Sequence, residues 1–181
     1  NPSVGALLIK GGKVIGQGRS SRVGGPHAEI VAIRQAGGQA KGADLYVTME
    51  PCSHHGRTPP CADAILRVGI KRVFIGVKDP NPVVKGRGIA KLRRGGVDVR
   101  LDVGAELAYA LHEHYLFAQS EARPFVTLKA AVSIDGRIAT SSGHSKWITG
   151  EAARKEGHRL RALHHAIAVG AETLLTDDPA L

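Results

Sequence analysis

Residues 44–77, DLYVTMEPCSHHGRTPPCADAILRVGIKRVFIGV, decide the fold. The run DLYVTM at 44–49 reads as a strand, and RVFIGV at 72–77 reads as another. Between them lie a loop from Glu50 to Pro59 and a helix expected from about Pro60 to Val68. Proline near that helix start costs nothing, because first-turn N–H groups have no partner within a helix.

The same alternation extends in both directions. Upstream, VGALLI (4–9) and KVIGQG (13–18) flank Lys10-Gly11-Gly12-Lys13 and predict a hairpin. HAEIVAIRQA (27–36) then sets Ile30, Ile33 and Ala36 at helical spacing before Gly37-Gly38 stops the helix. Downstream, a short helix is expected at 89–94, a strand at VDVRL (97–101) and a helix from Ala105 to about Ala118. Strands alternating with helices indicate a layered α/β sheet, closing near Ser120. After Glu121-Ala122-Arg123-Pro124 the pattern restarts with a strand at FVTLKAAV (125–132), a turn at Asp135-Gly136 and a polar loop at 140–145. A helix from about Gly150 to Leu163 and a strand at 166–169 complete it. The expected organisation is one domain at 1–120 and the opening of a second α/β domain at 121–181.

Composition narrows the function classes. A formal charge of +9 implies an anionic partner, but only 4% of residues are aromatic, which is poor provision for stacking on bases. A phosphorylated small molecule is therefore preferred over nucleic acid. No apolar run approaches the roughly 20 residues of a membrane span. Two cysteines in a chain with an ample core read as reduced thiols of a cytoplasmic protein. The chain opens on Asn1 and closes at Asp178-Pro179-Ala180-Leu181 without a helix end, so a fragment is expected, with no targeting segment visible.

His27, Cys52 and Cys61 are the candidate ligands of a Zn2+ ion. Three ligands leave a fourth position open, which distinguishes a catalytic from a structural zinc, and no third cysteine exists to close it. Both cysteines lie near an expected helix start, where partial positive charge favours the thiolate. Glu29, two residues after His27, is placed to move protons rather than to bind metal. Zinc makes water acidic enough to ionise near pH 7, and a carboxyl shuttle delivers its proton, as hydrolytic removal of an amine from an sp² carbon requires. The H-A-E and P-C arrangement matches the zinc nucleobase deaminase signature, except that eight residues separate the cysteines where that signature has two. His54 and His55 are rival ligands, ranked lower because neither is paired with a glutamate in this way.

The stretch Pro51-Cys52-Ser53-His54-His55-Gly56-Arg57-Thr58-Pro59-Pro60-Cys61 closely resembles the cysteine loop of the bifunctional riboflavin-biosynthesis deaminase/reductase family. The resemblance runs on through Asn1 to Gly5, His27-Ala28-Glu29, Asp79-Pro80-Asn81-Pro82, Leu128-Lys129, 133–137, 145–150 and 177–181. It implies a cytidine-deaminase-like three-layer domain that deaminates 2,5-diamino-6-ribosylamino-4(3H)-pyrimidinone 5′-phosphate. It also implies a truncated dihydrofolate-reductase-like domain that uses NADPH to reduce the product's ribosyl group. By position, Asn1, His54, Arg57, Asp79 and Asn81 would hold the deaminase substrate. Lys129, Ser145, Arg161 and Leu181 would hold the reductase substrate, and Ala131, Trp147, Thr173 and Asp177 would contact NADPH. Set apart from the resemblance, Asn1 and Asn81 read as turn residues before proline, Arg57 as a solvated charge and Trp147 as core packing. His165 stands where the family usually has Asp. The helix that normally precedes Asn1 and the remainder of the reductase are expected to be missing.

Two other classes stay in view. A transfer-RNA deaminase of the same fold would share the H-A-E core and the basic charge, and a structural zinc knot would use the same His and Cys residues without catalysis. A homo-oligomer with a neighbouring subunit at the pocket is compatible with the class. The basic stretch 84–96, with Gly86-Arg87-Gly88, reads as a solvated loop rather than a phosphate cradle.

Overall fold

The structure, a computed structural model, describes residues 2–179. Contacts divide it into two compact units, Asn1–Phe125 and Val126–Leu181.

In the first unit Gly5–Lys10 (β1) and Lys13–Arg19 (β2) form the expected hairpin, with Gly11 and Gly12 both at positive φ in the turn. Asp44–Met49 (β3) pairs antiparallel with β1, while Arg72–Val77 (β4) and Asp98–Arg100 (β5) continue the sheet in parallel. The order is β2-β1-β3-β4-β5. Strand alternation sorts the side chains. Ala6, Leu8, Leu45, Val47, Val73 and Ile75 share one buried face with Ala28, Ala32, Ile65 and Leu92 from the helices Ala28–Ala36 (α1), Cys61–Val68 (α2) and Arg87–Arg94 (α3). The opposite face carries Tyr46 stacked on Phe74 at 4.3 Å and meets the helix Ala105–Glu121 (α4), where a Cβ on Gly76 would lie 2.5 Å from Ala108 Cβ. Helices on both faces of a mixed sheet make the three layers.

The stripe that α1 buries is not the isoleucine spacing expected. Ala28, Ala32 and Ala36 are its core positions, and Ile30 and Ile33 are only half-buried. The cause lies on β2. A Cβ on Gly16 would stand 2.3 Å from the Ala32 carbonyl oxygen, and one on Gly18 would stand 2.2 Å from that of Ala28. Helix and strand thus meet backbone to backbone, and alanine is the largest side chain the seam admits.

In the second unit the helix Glu151–Leu163 (α5) forms as expected, and Ala171–Asp177 (α6) adds a short helix that the sequence reading did not include. The strands expected at 125–132 and 166–169 are not formed. A strand exists by pairing, and among the described residues neither segment has a ladder partner. Val126 and Leu128, expected to be sheet residues, are exposed. Serine and aspartate close the predicted turn locally, with Ser133 Oγ donating to Asp135 at 2.5 Å and Ser133 N–H donating to the Arg137 carbonyl at 2.9 Å.

Two outcomes test this packing. Gly18→Ala should lower the unfolding free energy by about 1–3 kcal/mol, as overpacking does. Gly38→Ala, facing open space, should stay within about 0.5 kcal/mol in the same urea titration. The second concerns His112, buried on α4, whose Nε2 lies 2.9 Å from Thr48 Oγ1 and whose Nδ1 has no hydrogen-bond partner among the described residues. Burial lowers its pKa below 6.5, so in acid the unfolded chain binds a proton that the folded chain does not. Stability should therefore be full above about pH 6.5 and decline as pH falls from there toward the folded pKa. His112→Gln should flatten that slope in urea midpoints measured from about pH 7.5 down to about pH 5.5.

Candidate active site

His27 is the residue on which α1 begins, in extended conformation (φ −73°, ψ 161°), and its carbonyl accepts the first helical bond from Val31 N–H. Cys52 follows the C-terminal end of β3 across Glu50-Pro51, and Cys61 opens α2. The connection between them folds back on itself, because Ala62 N–H donates to the Cys52 carbonyl at 3.0 Å and Cys61 N–H donates to Cys52 Sγ at 3.3 Å. Three chain segments that begin or end secondary structure thereby converge at one rim of the sheet.

The imidazole turns Nδ1 toward both sulfurs, 3.6 Å from Cys52 Sγ and 3.2 Å from Cys61 Sγ, and all three donor atoms lie within 4.8 Å of one another. Tetrahedral zinc, with bonds of about 2.3 Å to sulfur and about 2.0 Å to nitrogen, places such atoms about 3.6 Å apart. The donor set fits that ion in chemistry and in spacing. His27 Nε2 lies 3.3 Å from Thr58 Oγ1, a partner that fixes the ring and leaves Nδ1 free for a metal. His54 and His55 are outside this grouping.

Electrostatics agree. The hydrogen bond from Cys61 draws the Cys52 thiol down to about 4, whereas its bond to Cys52, together with burial, pushes Cys61 far above the ordinary thiol range. Two sulfurs so close compete for one negative charge, and a divalent cation removes the competition by stabilising both thiolates. The hydrogen bond to Cys52 also raises the pKa of His27. Glu29 is buried beside the cluster, and desolvation lifts its carboxyl to about 7. A carboxyl so poised takes up and releases a proton readily near neutrality.

A cleft of about 420 Å³ opens onto this cluster. His27, Glu29, Cys52, His54, Arg57, Asp79 and Asn81 all line it. His54 Nδ1 is buried without a hydrogen-bond partner among the described residues, a polar atom available to a ligand. Asp79 accepts from Asn81 N–H at 2.9 Å and from the Tyr115 hydroxyl at 3.0 and 3.2 Å, and these bonds oppose the rise in its pKa that burial causes. Asn81 does act as a turn residue, its Oδ1 accepting from Val83 N–H at 3.0 Å, while also facing the cleft. Asn1 lies outside the described residues. Thr58 and Tyr115 line the cleft too and were not among the expected site residues; Thr58 sits inside the 51–61 loop, but nothing in its spacing marks it.

The described positions expected in the second unit are mostly exposed. The Lys129 side chain runs along α5, its Cε 3.5 Å from where a Cβ on Gly157 would stand. Arg161 pairs with His158 Nδ1 at 3.1 Å. Trp147 is 72% exposed, not core, with the Arg154 guanidinium 4.4 Å over its ring. Ser145, Thr173 and Asp177 are exposed, Ala131 is half-buried, and Leu181 lies outside the described residues. His165 is exposed, while its neighbour His164 bonds the Leu160 carbonyl at 2.7 Å and Thr127 Oγ1 at 2.8 Å.

Residues 1–77 match the cytidine and deoxycytidylate deaminase zinc-binding region, and residues 124–181 match the RibD C-terminal domain. The riboflavin biosynthesis protein RibD of Aquifex aeolicus is 50% identical over all 181 residues, which cover 51% of that protein. The solved structure of Acinetobacter baumannii RibD superposes with a TM-score of 0.94 at 46% identity, over 99% of this chain and 50% of that one. The diaminohydroxyphosphoribosylaminopyrimidine deaminase/5-amino-6-(5-phosphoribosylamino)uracil reductase of Thermotoga maritima gives a TM-score of 0.92 at 46% identity, over 99% and 52%. The chain spans about half the length of the curated relatives it matches. No helix among the described residues is long and apolar enough to cross a membrane.

Metal analysis checks the cluster directly. His27→Ala, Cys52→Ser and Cys61→Ser should each reduce zinc from about one ion per chain to near none. Thr58→Val should keep the ligands but weaken zinc binding by about 10- to 100-fold in competition with a chromogenic chelator.

Proposed function

We propose, for a chain that belongs to the RibD family of riboflavin-biosynthesis proteins, that residues 1–120 hydrolytically deaminate a pyrimidine bearing a ribose phosphate. Residues 121–181 then contribute to NADPH-dependent reduction of the product's ribosyl group. The fold is cytidine-deaminase-like in the first part and dihydrofolate-reductase-like in the second. The observation that carries the reading is the approach of two thiols and one imidazole nitrogen within 4.8 Å, in a cleft that also holds a buried carboxyl.

His27, Cys52 and Cys61 would hold zinc, which when bound supplies Lewis acidity and makes water ionisable near neutral pH. Glu29 does the proton work. It takes one proton from water as the oxygen adds to the amine-bearing carbon and gives it to the ring nitrogen, then takes the second from the new hydroxyl and gives it to the departing amine, so that a carbonyl forms, water is consumed and ammonia leaves. Its lifted pKa suits both directions. His54, Asp79 and Asn81 offer hydrogen bonds to the pyrimidine, Arg57 offers charge to the phosphate, and Asn1 joins them by its place in the family pattern.

In the second part Lys129, Ser145, Arg161 and Leu181 would take the reductase substrate, with Ala131, Trp147, Thr173 and Asp177 at NADPH. The exposed cations and hydroxyls there suit phosphorylated ligands and supply part of such a site. Substrates of this charge, handled by reduced thiols, accord with a cytoplasmic enzyme and with the net charge of +9. Nothing in the fold or the relatives favours the transfer-RNA reading.

The full-length protein with zinc should release ammonia from the diaminopyrimidine ribose phosphate without NADPH, and should oxidise NADPH only after that release. Glu29→Ala should lose about 100-fold or more in deamination while its zinc content stays the same. Absence of ammonia from the zinc-loaded protein would remove this substrate.

A further inference from the structure

Glu50 lies just before Pro51-Cys52, is buried, and is one of the residues that line the cleft. Its carboxylate is engaged by the start of α3. One oxygen, Oε2, accepts from Gly86 N–H at 3.0 Å, and the other, Oε1, accepts from Gly88 N–H at 3.0 Å and Ile89 N–H at 3.2 Å. The residue at the start of α3 is Gly86, at φ +79°, which has no side chain to cap the helix. Glu50 therefore caps it from a distant part of the chain, satisfying the N–H of Gly86 and two first-turn donors, Gly88 and Ile89, that would otherwise be buried without partners.

A second contact fixes the same joint. A Cβ on Gly88 would stand 1.9 Å from the Pro51 carbonyl oxygen and 3.3 Å from Glu50 Oε1. The start of α3 is thus seated directly on the peptide that leads into Cys52. Upstream of α3, residues 79–86 form a turn closed by its own bonds, with the Asn81 carbonyl accepting from Val84 N–H at 2.8 Å and Lys85 N–H at 2.9 Å, and the Val84 carbonyl accepting from the N–H of Arg87, the first residue of α3, at 2.7 Å. That turn presents Asp79 and Asn81 to the cleft.

We propose that Glu50 is a positioning residue for deamination: it ties the recognition turn 79–86 to the metal-binding loop at Cys52 and so sets the register of the substrate ring against the metal. This rests on the deaminase reading above. Only a carboxylate offers two acceptor atoms and no donor to three converging N–H groups. Glutamine would turn an NH₂ toward one of them, and a methyl on Gly88 would prise apart the same joint from its other side.

The test uses the full-length, zinc-loaded protein. Glu50→Gln and Gly88→Ala should each raise KM for the diaminopyrimidine phosphate by about tenfold, with kcat within about threefold and zinc content unchanged. Amide exchange at Gly86, Gly88 and Ile89 should accelerate in both variants, while that of α2 stays as it was. This readout needs no turnover, so it stands even if the assigned substrate is wrong. Glu50→Asp keeps the charge and should restore part of the KM, and it serves as the milder lesion if glutamine prevents folding. The proposal is overturned if the variants lose thermal stability but keep the wild-type KM, which would make Glu50 a helix cap only. It is also overturned if zinc is lost together with kcat, which would place Glu50 in the support of the metal loop instead.

Discussion

Two thiol sulfurs and an imidazole nitrogen held within 4.8 Å make a donor set that a shared cation would stabilise as two thiolates and a neutral imidazole. Without one, the sulfurs divide a single charge between them, which is why Cys52 and Cys61 are driven in opposite directions. The rest of the first unit serves this convergence. Strand β3 carries Cys52 to the rim, the folded-back 52–61 connection brings Cys61 to the same side, and α1 begins on His27 opposite both. Burial beside the cluster lifts Glu29 toward neutrality.

How much of this the sequence disclosed follows from how local each feature is. The strands at 44–49 and 72–77 appear with the bounds expected, because each is a short apolar run framed by a loop and a helix. At the sheet edge only residues 98–100 of the expected 97–101 pair, where one neighbour rather than two defines the strand. The strands expected at 125–132 and 166–169 failed for a related reason: apolar content was legible, but pairing depends on distant segments. The short helix at 171–177 lacks enough turns to show a period.

The site divides along the same line. His27, Glu29, Cys52 and Cys61 could be picked out because the chemistry demands those residue types in that order. Thr58, Tyr115 and Glu50 could not, since each acts through a partner remote in sequence: the far nitrogen of His27, the carboxylate of Asp79, and the first amides of α3. Side chains that work on backbone groups leave no motif. Trp147, by contrast, was visible as a singular residue, but its exposure and its stacking under Arg154 had to come from the fold.

The glycine seam between β2 and α1 bears on the cleft in a different way. Both His27 and Glu29 ride at the start of the helix whose distance from the sheet Gly16 and Gly18 determine. The depth of the reaction chamber is consequently a property of two absent methyl groups on a strand that contributes little to its walls. Residues lining the cleft set its chemistry, whereas how far His27 and Glu29 stand from the sheet is set by a spacing in the scaffold. Tuning selectivity by shape and tuning it by chemistry are, in this molecule, assigned to separate parts of the chain.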